Sequence, residues 1–152
     1  MKRRLLFLFA VFMVGASVGW GQMIPTYYKV AVGTGGDGSS AGSPIYKANL
    51  EAALSDAALS SLDSVIILLP EGVYSANAAP YFITKSSLAI IGEGDTSTVT
   101  IKSPVDIGLT NGGNVSFQKV HLTAKTSTGR GVVDIKSSKT TVSFSESKIT
   151  IE

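Results

Sequence analysis

Two aspartates stand at matching places in the chain: Asp106 precedes Ile107 just as Asp134 precedes Ile135. If the chain coils with the interval between them, the two carboxylates stack at the spacing of neighbouring strands, about 5 Å. Carboxylates that close can share a calcium ion, or act as an acid and a nucleophile in glycoside cleavage. The plainer alternative is that both point outward beside inward Ile107 and Ile135 and are simply solvated. Two carboxylates also leave most of calcium's shell of about six to eight oxygens unfilled. Arg130, in Gly129-Arg130-Gly131 just ahead of the Asp134 segment, is the third candidate. A guanidinium fork matches the carboxylate of an acidic sugar, though a solvated loop arginine is the simpler reading. Asp106, Asp134 and Arg130 are therefore the catalytic candidates, and Asp106 and Asp134 the metal candidates. They do not add up to an assigned catalytic, cofactor or metal site.

Other chemistry-bearing residues read more plainly. His121 is the only histidine; Val120 and Leu122 take the inward positions, so its ring points outward. The matching position one coil later is Lys148, not an acid, and a surface residue is the simpler reading than a general base. Tyr27, Tyr28, Tyr46, Tyr74 and Tyr81 could stack on sugars, but all fall in the first part of the chain, where aromatic packing is the ordinary role. The segment Gly33 to Pro44 is rich in glycine and serine but has no lysine placed for a phosphate cradle, and reads as a turn.

The elements that would position these residues follow from a repeat. Leu88-Ala89-Ile90, Val115-Ser116-Phe117 and Val142-Ser143-Phe144 recur at a constant step along the chain. A fixed step between about 20 and 50 residues marks stacked supersecondary units, and the alternation of apolar with small residues is that of strands with one buried face. Within the repeat, apolar or small residues at relative positions 0, 3 and 5 mark a bend from one sheet into the next. The bend residues Gly92, Lys119 and Glu146 are expected in the left-handed region, cheap for glycine and costly for the other two. Asn111-Gly112-Gly113 and Ser137-Ser138-Lys139 close successive coils. Upstream, 27–32 reads as a first strand, 45–62 as an amphipathic helix with Leu50, Leu54, Ala57 and Ala58 on one face, and 65–69 as a buried strand stopped by Pro70.

The segment 1–21 describes a secretory leader: basic Lys2-Arg3-Arg4, apolar Leu5 to Val14, and Gly19-Trp20-Gly21 as a small-x-small site. The apolar run is too short for a membrane span of about 20 residues. Without the leader, the 13 basic residues fall to ten against 11 acidic ones. Such a near-neutral chain lacks the basic footprint that nucleic acid or an anionic membrane needs. The expected protein is secreted, periplasmic or on the cell surface, with no stable span after cleavage. With no cysteine in the sequence, burial and backbone pairing must supply its stability.

The order of exported strand, glycine-rich loop, amphipathic helix, Val65-Ile-Ile-Leu-Leu-Pro-Glu-Gly-Val-Tyr74, Leu88-Ala-Ile-Ile-Gly-Glu-Gly94 and Asn114-Val-Ser-Phe117 resembles the N-terminal part of the pectin-lyase-like parallel β-helix superfamily. The resemblance spans about residues 27–151 and implies an all-β, right-handed parallel β-helix of about three coils. Residues 22–62 would supply a strand, loop and capping helix, and 63–152 the coils, with no cap at the C-terminal end. The asparagine usual at the family's bend is replaced by Lys119 and Glu146. For function the resemblance is broad, because this superfamily includes lyases, hydrolases, esterases, adhesins and tailspikes.

Two functions follow as expectations. One is a non-catalytic secreted or surface module, adhesin-like or carbohydrate-binding, either as it stands or as the N-terminal piece of a longer solenoid, whose partner is a polysaccharide or cell-surface glycan. The other is a polysaccharide-degrading enzyme whose catalytic coils lie beyond residue 152. Self-association through the last coil, or marginal stability until additional coils are supplied, is expected as well, because an open strand edge templates further pairing.

Overall fold

The structure is a computed structural model that describes residues 25–61, 63–77, 79–125 and 131–152. The leader segment lies outside the described residues. Among those described, no helix is long and apolar enough to cross a membrane.

The chain winds as a parallel β-solenoid of about three coils. Strand β1 (Thr26–Val30) and the short β2 (Ile45–Lys47) precede helix α1 (Leu50–Leu59). The first coil is β3 (Val65–Leu69), β4 (Gly72–Tyr74) and β5 (Tyr81–Ile83), and the second is β6 (Ser87–Gly92), β7 (Val99–Ile101) and β8 (Val105–Ile107). The third is β9 (Gly113–Gln118), β10 (His121–Ala124) and β11 (Val133–Ile135); β12 (Thr140–Ser145) and β13 (Lys148–Ile151) lie above it. Three sheets result, in the orders β12-β9-β6-β3-β1-β2, β13-β10-β7-β4 and β11-β8-β5. All pairings are parallel.

The register is that of the sequence repeat. Leu88 pairs with Val115 and Val115 with Val142, while Ile90, Phe117 and Phe144 form the next rung. Inward side chains pile into one core, in which Ile90, Ile101, Ile107, Phe117 and Leu122 are fully buried. The rings of Phe117 and Phe144 stack with centroids 5.4 Å apart. Such columns arise because a constant step returns each inward position to the same place above the last.

Backbone strain falls where the bends are, with one correction. Lys119 and Glu146 have φ of 53° and 51°, as expected of bend residues. Gly92 does not join them: it remains in β6, paired with Leu69. Glycine is required there for space, since a Cβ would stand 2.2 Å from the Lys119 carbonyl oxygen. The turn that closes each coil also repeats, with Gly112 at φ 76° and Lys139 at φ 59°.

The helix is shorter than its pattern suggests. Residues 45–47 form a strand beside β1, and α1 starts only after Asn49, whose side chain accepts a hydrogen bond from the Ala52 N–H at 2.8 Å. Its buried face is Leu50, Ala53, Leu54 and Ala57, so Ala53 takes the place expected of Ala58. Glu51 fixes the helix to the first coil by accepting from the backbone N–H and side-chain amide of Asn77, at 2.8 and 2.7 Å. In this way α1 covers the lower end of the solenoid.

Candidate functional site

The sheet β11-β8-β5 places the candidate aspartates. Alternation turns Tyr81, Ile83, Val105 and Ile107 into the core and leaves Phe82, Asp106 and Asp134 outward, as one ladder of paired residues. The interval seen in the sequence thus brings Asp106 and Asp134 together in register, with Phe82 below them.

The three members of the ladder differ sharply in environment. Phe82 is 63% exposed, whereas Asp106 is only 2% exposed. The Lys136 ammonium forms an ion pair with the Asp106 carboxylate while its own side chain stays 57% exposed. Burial without a counter-charge would be costly for a carboxylate, so Lys136 is what permits Asp106 to sit beneath the surface. Asp134 is half-buried, and its Oδ1 accepts from the Gly131 N–H at 3.0 Å. The aspartates are therefore not the equivalent, solvated pair of the plainer alternative. Lys136 was the residue missed in the sequence, although its position two after Asp134 in an alternating segment puts it on the same outward face.

Below the ladder lies an open groove of about 490 Å³ between α1 and β5, with Phe82, Pro80 and Tyr81 on one side and Leu54, Ser55 and Ala58 on the other. Tyr81 is buried, and burial together with the nearby negative charge of Glu51 pushes its hydroxyl up to about 12. It is a neutral wall of the groove at any ordinary pH. Glu51 and Thr84 complete the lining, so the groove beside the outward Phe82 ring mixes apolar and polar groups.

The remaining candidates lie elsewhere. Arg130 falls outside the described residues. His121 is on the adjoining sheet, paired with Lys148 in register, and its Nε2 is 2.9 Å from the Thr150 hydroxyl. Tyr28 and Tyr81 belong to the core, and Tyr74 packs against it while donating to the Pro70 carbonyl at 2.6 Å. Burial, with the charge of Glu93, pushes the Tyr74 hydroxyl to about 12. Among the described residues, no three His, Cys, Asp or Glu side chains gather where they could hold a metal ion. Asp106 and Asp134, one of them already paired with an ammonium, fall well short of a calcium shell of about six to eight oxygens.

No family model, curated protein or solved structure matches the chain.

Proposed function

We propose that this is a secreted, non-catalytic module of the pectin-lyase-like kind that binds a glycan on the outer face of the β11-β8-β5 sheet. The observation that carries the reading is Phe82, an aromatic ring left 63% exposed in register with two aspartates and beside a groove. A large exposed aromatic suits a sugar, whose apolar face stacks on the ring while its hydroxyls donate to the half-buried Asp134 further up the ladder; Asp106, beneath the surface, is out of their reach. Engagement of Asp106 by Lys136 favours binding over catalysis, since an acid or nucleophile must be free to exchange a proton or form a bond. The ammonium of Lys136 is already committed to Asp106, so a polyuronate would have to compete with a buried carboxylate for it. A neutral polysaccharide therefore fits better than a polyuronate.

Binding of the exported protein to a panel of neutral polysaccharides, with polygalacturonate and esterified pectin as acidic probes, tests this by calorimetry. Phe82→Ala should weaken binding to the preferred neutral polymer by about tenfold, the loss of one stacking contact, and leave the fold unchanged. No binding to any polymer, or binding indifferent to Phe82→Ala, would refute it. Bond cleavage abolished by Asp134→Ala would replace it with the hydrolytic reading.

A further inference from the structure

We infer that a polar pocket at the lower end of the solenoid, between β1 and the C-terminal half of α1, binds an amino sugar through its primary ammonium and neighbouring hydroxyls. The pocket encloses about 480 Å³, within the range of small-molecule sites. It lies on a different side of α1 from the groove beside Phe82. Its polar lining is Thr26 and Tyr28 from β1, Asp37 from the glycine-rich loop, Asp56 from α1, and Ser60 and Ser61 just past the helix. The Tyr27 N–H donates to the Gly38 carbonyl at 2.9 Å, which ties that loop to β1 and sets the exposed Asp37 at the rim.

Two independent observations select the ligand. The first is a pair of buried hydroxyls: Tyr28 is 6% exposed and Thr26 7%, yet among the described residues neither hydroxyl has a hydrogen-bond partner, and neither is sealed from the pocket it lines. A polar group taken from bulk water without a partner is costly, and a ligand with hydroxyls of its own supplies both partners. Burial, and after it the charge of Asp56, push the Tyr28 hydroxyl up, so it stays a donor. The second observation is charge. Asp56 is paired with Lys47, whose ammonium lies 5.7 Å from the centre of the Tyr28 ring. Lys85 donates to the Ser60 carbonyl at 2.8 Å, at the negative end of the helix dipole. Asp37, by contrast, has no ion pair among the described residues. The Ser39 hydroxyl and N–H, at 2.7 and 3.0 Å, hold its carboxyl down to about 2, so it is ionised at any ordinary pH. One uncompensated negative charge calls for a monocation. Among the described residues no three acidic or imidazole groups gather for a metal, which leaves an organic ammonium. Hydroxyls both donate and accept, so Thr26, Tyr28, Ser60 and Ser61 match a sugar ring better than the bare carbon chain of an alkylamine.

Calorimetry of the full chain with D-glucosamine, at a mildly acidic pH where the amine of the sugar is charged, should show binding. N-acetylglucosamine, which lacks the charge, and ethylamine, which lacks the hydroxyls, should each bind at least about tenfold more weakly. Asp37→Asn and Tyr28→Phe should each weaken glucosamine binding by about tenfold, the loss of one contact. Because the Tyr28 hydroxyl has no hydrogen-bond partner among the described residues, Tyr28→Phe should leave the thermal melt unchanged, which excludes unfolding as the cause of weaker binding. Phe82→Ala should not alter glucosamine binding, which separates this pocket from the glycan face of the β11-β8-β5 sheet. No binding of glucosamine, equal binding of either analogue, or glucosamine binding indifferent to both pocket variants would each overturn the inference.

Discussion

Lys119 and Glu146 occupy the left-handed region at a cost of about 1–2 kcal/mol each, and they do so because the chain must leave one sheet for the next within a single residue. Lys119→Gly should therefore stabilise the protein by about 0.5–1 kcal/mol, since relief of the strain outweighs glycine's extra entropy loss. Gly92→Ala should instead destabilise by about 1–3 kcal/mol, because its Cβ must displace the Lys119 carbonyl of the neighbouring strand. Urea melts of the two variants should move in opposite directions. Lys119→Gly no more stable than the parent would remove the strain at that bend, and Gly92→Ala as stable as the parent would remove the close approach at the corresponding position. The constant offset of the repeat showed that they correspond; that one needs dihedral freedom and the other space depends on which backbone passes beside it. The burial of Asp106 was hidden for a similar reason: it is set by Lys136, which comes from the next coil.

Tyrosine hydroxyls give a second handle at this scale. Tyr74 and Tyr81 are pushed up to about 12 by burial and by nearby carboxylates, while an unfolded tyrosine loses its proton near pH ~10. From about pH 10 the unfolded chain releases these protons before the folded one does, so stability present below that pH falls across the window up to about pH 12. Urea midpoints should decline over that interval, and the decline should flatten in Tyr74→Phe and Tyr81→Phe. An unchanged slope in both variants would show that other groups dominate the alkaline limb.

Among the elements, α1 shows what pattern reading can and cannot separate. Apolar spacing over 45–62 fits a helix throughout, but Ile45, Tyr46 and Lys47 find the free edge of β1 and become a strand. Asn49 was the local signal for the true start, because a side-chain acceptor before the first turn satisfies an N–H that the helix cannot. Asn49→Ala should cost about 1 kcal/mol by denaturant melt, with exchange of the Ala52 amide accelerated well before global unfolding. A wild-type exchange rate at Ala52 would remove Asn49 from that role. The strands themselves were legible because alternation and repeat agree there, and agreement between levels is what makes a sequence readable.

At the scale of the whole molecule, the proposed face rests on one register, in which each coil lies on the last without slipping. A slip by one residue would turn Phe82 and Asp134 inward and the core residues outward. The absence of cysteine from the sequence makes the register directly measurable. Ser116 and Ser143 are paired in register on the outer side of β9 and β12. Cysteines there would be separated by roughly the strand spacing of ~4.8 Å, within the span a disulfide bridges. Ser145 pairs instead with Gln118, one rung further along the strand face. Under mild oxidation, Ser116→Cys with Ser143→Cys should crosslink rapidly within one chain, and Ser116→Cys with Ser145→Cys should lag far behind. Equal rates, or faster closure of the second pair, would contradict the stacked-coil account.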